Sequence, residues 1–297
     1  MRSVVLIHNP SAARHRQSVV ETINRVLLGQ GCTIELVATR RPGHARDVSA
    51  DAARRGVDVV AVYGGDGTMI QAVEGIVGTD VLLGLVRGGT GNLLAGNLKL
   101  PRDPVRAALV IANGIPRQID LGHLVTSEGG RHFAVACGAG FDAEVMAATT
   151  SAAKRRLRML AYVFRILGLA HRIKATSHAV VVDGVSHVVE ASTILVANCP
   201  AIIPGLLDFG KQVAFDDGQL DLVALNANGI PSAVAAMWGL FRGQQNQRVT
   251  RFRGREIRIE PLAPRRVQLD GEEAGFTPIT ASVIPGGLRV LVPDPAL

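Results

Sequence analysis

Along residues 1 to 120, runs of consecutive apolar residues alternate with stretches whose apolar positions recur every three to four residues. The runs are "VVLI" (4 to 7), "TIELVAT" (33 to 39), "VDVVAVY" (57 to 63) and "VLLGLV" (81 to 86). Between them, Val19, Val20, Ile23, Val26 and Leu27 share one helical face, residues 44 to 55 give a weaker helical pattern, and Ile70, Val73 and Val77 mark a third helix. Residues 104 to 112 predict a fourth. Strands that are apolar on both sides and alternate with helices predict a parallel sheet covered on both faces, a Rossmann-like three-layer α/β domain.

After "IPRQIDLGHL" the period changes. "HFAVACGAGF", "HAVVVDGVSHVVEASTILVANC", "LDLVALNA", "EIRIEPL", "RRVQLDG" and "LRVLVP" are short, β-rich and separated by turn residues. They predict an antiparallel, sandwich-like second domain. Its one long helical pattern covers residues 152 to 174. The boundary falls near residue 121, giving domains 1–121 and 122–297, with a return of the last strand to the first domain left open. No internal repeat, low-complexity tract or long linker interrupts the chain.

Composition narrows the class. Of 297 residues, 47% are hydrophobic and 19% charged, which suits a buried core and excludes disorder. No apolar run approaches the ~20 residues of a membrane helix. "MRSVVLIHNP" has no cleavage-like site, so a first strand is expected there and not a signal peptide. Cys32, Cys137 and Cys199 are too few and too scattered for a disulfide framework or a cysteine metal site, which points to the cytoplasm.

The net charge of +7 is unevenly spread. Residues 145 to 182 and 222 to 255 contain no Asp or Glu but many Lys and Arg. Such patches attract anionic lipid, nucleic acid or phosphorylated ligands. Aromatic residues are few, 11 in the whole chain, so a nucleic-acid partner that needs stacking platforms is not expected. Within 154 to 174, Arg155, Arg158, Arg165 and Arg172 form a stripe beside Leu157, Leu160, Phe164 and Leu167. That helix could lie on an anionic membrane, or face a core with a solvated basic back.

The chemistry concentrates in "YGGDGTMIQ", directly after the third strand. Gly64, Gly65 and Gly67 permit positive φ and close approach of a ligand to the backbone. Thr68 and Gln71 have capping-box spacing, so a helix with free N–H groups should begin there and offer an anion site. Asp66 would repel a bare phosphate, but it suits one that carries Mg²⁺. "RGGTGNLLAGN" repeats the design with Thr90 and Asn92. "HNPSAA" ends the first strand with Asn9 and Ser11, and Thr39 ends the second. Turns at one edge of a parallel sheet face one crevice, which suggests a nucleotide.

"GGDGT" followed some twenty residues on by "GGTGN" resembles the diacylglycerol-kinase-like lipid kinase family, which includes bacterial lipid kinases and sphingosine and ceramide kinases. "IDLGHL", "FAVACGAGFDAEV", "FDDGQLDLVAL" and "VQLDGEEAG" extend the likeness over nearly the whole chain. The resemblance implies ATP and Mg²⁺ as cofactors. ATP would be held by Asn9, Pro10, Ser11, Ala12, Ala13, Thr39, Gly65, Asp66, Gly67, Thr68, Met69, Ile70, Gln71 and Thr90. It implies Asp66 acting with Mg²⁺, Glu272 as the base towards a lipid hydroxyl, Asp120 in support, and an active site in the cleft between the domains. A structural Mg²⁺ would be held by Ala214, Asp217 and Gln219. The acceptor would be a lipid at an anionic membrane surface, most simply diacylglycerol; a homodimer is left open.

Three positions depart from the family pattern. Ala12 and Ala13 stand where a glycine is common, Leu93 stands for an acid, and Gly96 stands for a basic residue. The bare "LDGEE" and "DDG" strings also read as ordinary hairpin turns. Two rival functions share the first motif: a kinase with a soluble acceptor, of the NAD kinase type, and a non-catalytic nucleotide- or lipid-binding module.

Overall fold

The structure is a computed structural model that describes residues 1–140, 173–203, 207–208, 213–241, 246–261 and 263–294. The chain divides into two compact units, Met1–Asp120 with Gly286–Leu297, and Leu121–Pro285.

The elements of the first unit follow one another as β1 (Ser3–His8), α1 (Gln17–Gly29), β2 (Thr33–Ala38), α2 (His44–Arg54), β3 (Val59–Gly64), α3 (Asp66–Ile76), β4 (Leu82–Arg87), α4 (Leu93–Asn97) and α5 (Pro104–Asn113). Strands β2-β1-β3-β4 lie in that order and all pair in parallel. The second half of the last strand, Ile279–Val292, joins beside β4, with Arg289 opposite Leu82. The question of where the last strand goes is thus resolved by a strand shared between the units, and the second unit ends at Pro285. Helices α1 and α5 pack together, as do α2 and α3. Val4, Leu6, Ile23, Leu27, Val59, Ala61, Tyr63 and Ile111 form a core in which burial is nearly complete. Edge strand β2 is covered less fully, and its Leu36 is exposed.

The second unit contains β5 (Ile115–Thr126, entered from the first unit), β6 (Gly129–Phe133), β7 (Ala136–Gly140), β8 (Thr176–Val182), β9 (Val185–Ala191), β10 (Thr193–Ala197), β11 (Ala201–Ile203) and β12 (Leu207–Asp208). It continues with β13 (Leu220–Leu225), α6 (Ile230–Phe241), β14 (Val249–Gly254), β15 (Glu256–Pro261), β16 (Arg266–Leu269), β17 (Glu272–Phe276) and β18 (Ile279–Val292). An antiparallel sheet of order β14-β13-β10-β7-β16-β17 faces the β9-β8-β15-β18 strands. Their inner residues, among them Cys137, Ile194, Val196, Leu222 and Val267 against Val180, Ile257, Ile259 and Ile279, form one core. This is sheet-on-sheet packing, a sandwich.

The first crossing between the units falls between Asp120 and Leu121, inside strand β5. Two features depart from the sequence reading. Helix α6 was not expected, because "IPSAVAAMWGLF" is apolar almost all round and lacks a polar stripe. Its start was signalled by Asn228, Pro231 and Ser232: the Asn228 N–H donates to Ser232 Oγ at 2.6 Å. Strand β14 was also missed, since its exposed arginines mask the alternation. The basic helical pattern at 152 to 174 lies, but for residues 173 and 174, outside the described residues; these two have no regular structure. Among the described residues, no helix is long and apolar enough to cross a membrane.

Candidate active site

The carboxyl ends of β1, β3 and β4 lie side by side, and the order 2-1-3-4 places a topological switch between β1 and β3. Ligands of open α/β sheets bind at such points. The turns there are fastened to each other by side chains. The Asp66 carboxylate accepts the Asn92 N–H through Oδ2 at 2.8 Å and the Leu93 N–H through Oδ1 at 2.6 Å. It therefore clasps the second glycine turn to the first. Asn9 donates to Thr68 Oγ1 at 2.9 Å and accepts the Ser11 N–H at 2.9 Å, holding the turn after β1. Gln71 Oε1 accepts the Gly43 N–H at 3.0 Å, which fixes the turn after β2, and the Thr39 N–H donates to the His8 carbonyl at 2.9 Å.

Two local expectations need correction. Helix α3 starts at Asp66 with Gly65 as N-cap, and no side chain caps it, so the Thr68–Gln71 pair is not a capping box. Those side chains are drawn instead to Asn9 and Gly43, tertiary partners that a local rule cannot see. Gly64, Gly65 and Gly67 also lack positive φ. The need for glycine arises from contact between the turns. A Cβ on Gly89 would lie 2.5 Å from the Gly65 Cα, and one on Gly91 would lie 2.4 Å from Asp66 Oδ2. The left-handed residue is Asn92 (φ 51), whose side chain exchanges two hydrogen bonds with Gly89 at 2.9 and 3.0 Å. Asn tolerates this conformation better than most residues.

Met69 and Ile70 are buried, so only their backbones could serve a ligand, while Pro10, Ser11 and Ala13 are exposed at the turn after β1 and Ala12 is half-buried. Thr90 sits half-buried in the second turn. Behind the turns lies a cavity of ≈ 20 Å³, lined by Gly65, Asp66, Arg87, Asn92 and Ala95 among others. It has room for about one water. Arg87 there donates to the carbonyls of Ala95 at 2.9 Å and Leu100 at 2.7 Å, and burial lowers its pKa.

Sequence reasoning assigned no role to His8, His15 and Tyr63. Nδ1 of His8 lies 3.1 Å from Nε2 of His15, and their rings stack. The Tyr63 hydroxyl donates to the Arg14 carbonyl at 2.9 Å and accepts the Arg16 N–H at 3.1 Å. Together they tie the first turn down along β3. Burial, and then the neighbouring His15, lower the His8 pKa.

Asp120 is buried where the chain leaves the first unit, and its Oδ1 accepts the N–H of Gly286, the residue at which the chain returns, at 2.7 Å. In the second unit, Asp270 and Gly271 form a two-residue hairpin turn with φ values of 46° and 87°. Asp270 accepts three backbone N–H groups, from Ala134, Val135 and Ala136, at 2.8 to 3.0 Å. A carboxylate saturated in this way is structural. Glu272 differs: its side chain is 55% exposed and faces Arg131 at 3.4 Å. Glu273 instead pairs with Arg266. The turn that looked like a plain hairpin is one, and it presents Glu272 to solvent.

The Mg²⁺ implied at Asp217 does not fit the side chains as they stand. Asp217 Oδ1 accepts the Gln219 N–H at 3.1 Å, and its Oδ2 is ion-paired with Arg253, the cross-strand neighbour of Asp221. A guanidinium thus occupies the carboxylate that a cation would need. Asp66 fits better, because its half-buried carboxylate meets the backbone N–H groups of Asn92 and Leu93 where Asp217 meets a guanidinium, and it is of the type that a hard cation takes.

A parallel sheet with fastened strand-end turns, joined to an antiparallel sandwich, defines a class: two-unit α/β proteins with a topological switch point in the parallel sheet. The diacylglycerol kinase catalytic domain family matches residues 3–124, and the YegS C-terminal NAD kinase beta sandwich-like domain matches residues 135–292. The chain belongs to this diacylglycerol-kinase-like family of bacterial lipid kinases. A diacylglycerol kinase of Bacillus subtilis is 25% identical over 288 residues, covering 94% of this chain and 92% of its own. A probable YegS-like lipid kinase of Stenotrophomonas maltophilia is 29% identical over 278 residues, covering 89% and 88%. An uncharacterized protein of Synechocystis is 25% identical over 80% of this chain, which spans 55% of that relative's length. The crystal structure of a putative diacylglycerol kinase from Bacillus anthracis shares the fold, with a TM-score of 0.82, 22% identity and coverage of 99% and 98%.

Proposed function

We propose that this protein transfers the γ-phosphate of ATP to the hydroxyl of a lipid alcohol, with diacylglycerol as the leading acceptor. The observation that carries the reading is the Asp66 clasp, which brings two glycine turns together at the carboxyl ends of a parallel sheet in a kinase-family chain. Phosphoryl transfer asks the protein mainly to position groups and neutralise charge. The turns around Asn9, Gly65 and Thr90 hold the phosphates, and the N-terminus of the eleven-residue α3 adds its dipole. Asp66 would hold an Mg²⁺ carried by the nucleotide, which would supply positive charge against the γ-phosphate. The acceptor oxygen bonds to phosphorus, the bond to the β-phosphate oxygen breaks, and ADP departs with the electron pair. Glu272 takes the hydroxyl proton, a role its exposure permits. Asp120 steadies the strand crossing and acts by positioning.

The acceptor would put the work at a membrane surface on the cytoplasmic side, and three buried cysteines that form no disulfide are in keeping with a reducing compartment. The test is transfer of radiolabelled phosphate from Mg-ATP to lipid alcohols in anionic micelles, with NAD as a soluble acceptor. A labelled lipid, lost in Asp66→Ala and Glu272→Ala, is the expected result. Labelled NAD moves the protein to the soluble-acceptor kinases, and bound ATP without any labelled product leaves a binding module.

A further inference from the structure

Helix α6 carries more apolar surface than the second unit covers. Ala236 and Leu240 are buried against Leu195, Val223, Leu225 and Val249. On the opposite stripe stand Pro231, Val234 and Trp238, with Val234 63% and Trp238 59% exposed. A lone exposed apolar residue needs no explanation, but these two are one turn apart on one face.

The chain that runs through the stripe carries charge of one sign, while β12, which packs on α6, contributes Asp208. Residues 222 to 255 contain no Asp or Glu, and between 230 and 249 the only charged residues are Arg242 and Arg248. Arg248 is exposed, and its neighbour Asn246 lies against the helix: a Cβ on Gly239 would meet Asn246 Nδ2 at 3.3 Å. The indole of Trp is favoured at the boundary between headgroups and acyl chains.

We propose that α6 is the surface by which this protein docks on an anionic lipid bilayer, with Val234 and Trp238 entering the headgroup boundary and Arg248 meeting lipid phosphates. Each basic residue near such a surface strengthens binding by about fivefold. The inference rests on the lipid-acceptor reading and adds the element that brings the enzyme to its substrate. A second copy of the chain fits the face less well. A two-fold contact sets the same patch against itself, arginine near arginine, and no carboxylate between 222 and 255 is there to pair them. Lipid phosphates supply the missing charge.

Trp238 is the only tryptophan in the chain, so its emission reports on this helix alone. The full protein is titrated with phosphatidylcholine vesicles and with vesicles that also contain phosphatidylglycerol. The expected result is a blue shift, and quenching by brominated acyl chains, with the anionic vesicles. In sedimentation, Val234→Ser/Trp238→Ser should bind those vesicles about tenfold more weakly, with unchanged melting and unchanged turnover of a short-chain acylglycerol in solution. Vesicle binding without any change in Trp238 emission, or no vesicle binding at all, overturns the proposal. So does a fall in the mass of the double variant by light scattering, which assigns the face to a second copy. Failure of the acceptor reading looks different: the emission shifts on anionic vesicles, yet neither the vesicle-borne nor the short-chain acylglycerol is phosphorylated.

Discussion

Asp66→Ala separates two roles that a kinase assay alone would merge. The carboxylate holds two backbone N–H groups, at 2.8 and 2.6 Å, and both belong to the turn that starts α4. Hydrogen bonds to a charged group contribute about 1.5–3 kcal/mol each when buried, and removing the acceptor leaves the donors unsatisfied. Asp66 is only half-buried, so water recovers part of that loss. The net destabilisation should be about 2–4 kcal/mol in the first unit. Hydrogen–deuterium exchange on the peptide containing Asn92 and Leu93 localises it: both amides should change from slow to fast exchange. Urea unfolding followed by far-ultraviolet circular dichroism gives the magnitude, while Trp238 emission tracks the second unit separately. A carboxylate kept only to meet metal and phosphate predicts the opposite, since such groups are often stabilising to remove. An Asp66→Ala protein as stable as wild type, with Asn92 and Leu93 still protected, would refute the clasp.

Glu272→Gln should lower turnover by about a hundredfold or more without lowering the melting temperature, because the side chain is exposed and its pairing with Arg131 is solvent-screened. An equal loss of stability would make it structural. Arg253→Met should convert a fold indifferent to chelator into one whose melting rises with added Mg²⁺, because Asp217 and Asp221 lose their guanidinium. A wild-type melting point that itself rises with Mg²⁺ counts against this. His8 is held below the ordinary imidazole pKa, so the unfolded chain takes up the proton first as pH falls. Its contribution is therefore full above about pH 6.5 and lost as pH drops through that unfolded value towards the folded one. His8→Gln should flatten the dependence of melting temperature on pH between about 8 and 5.5, and a slope unchanged by the substitution would rule His8 out as its source.

The order of strands and helices in the first unit was legible because the inner strands β1, β3 and β4 are covered on both faces and read as apolar runs, while the longer helices between the strands are periodic. The sandwich was legible from short strands and turn residues. Helix α6 and strand β14 were not, since neither shows a clean alternation: one is apolar on both its buried and its exposed stripe, and the other puts arginines beside its core residues. The glycine-rich motifs do fall in turns between a strand and a helix, but positive φ and ligand approach are an incomplete reason for their glycines. Their glycines admit another turn of the same protein, with Gly89 against Gly65 and Gly91 against Asp66.

Local periodicity and motif spacing are properties of the one-dimensional chain, so the sequence by itself determined the layer types, the family and the short list of acids. Which acid does what depends on partners far away along the chain. Asp270 and Glu272 sit two residues apart in one motif, yet one is filled by three backbone amides from residues 134 to 136 and the other faces solvent. Asp217 meets Arg253 across 36 residues, and Asp66 meets Leu93 across 27. Hydrogen bonds between groups so far apart form only once the strands have fixed their register, and for that reason the tertiary structure alone decided them.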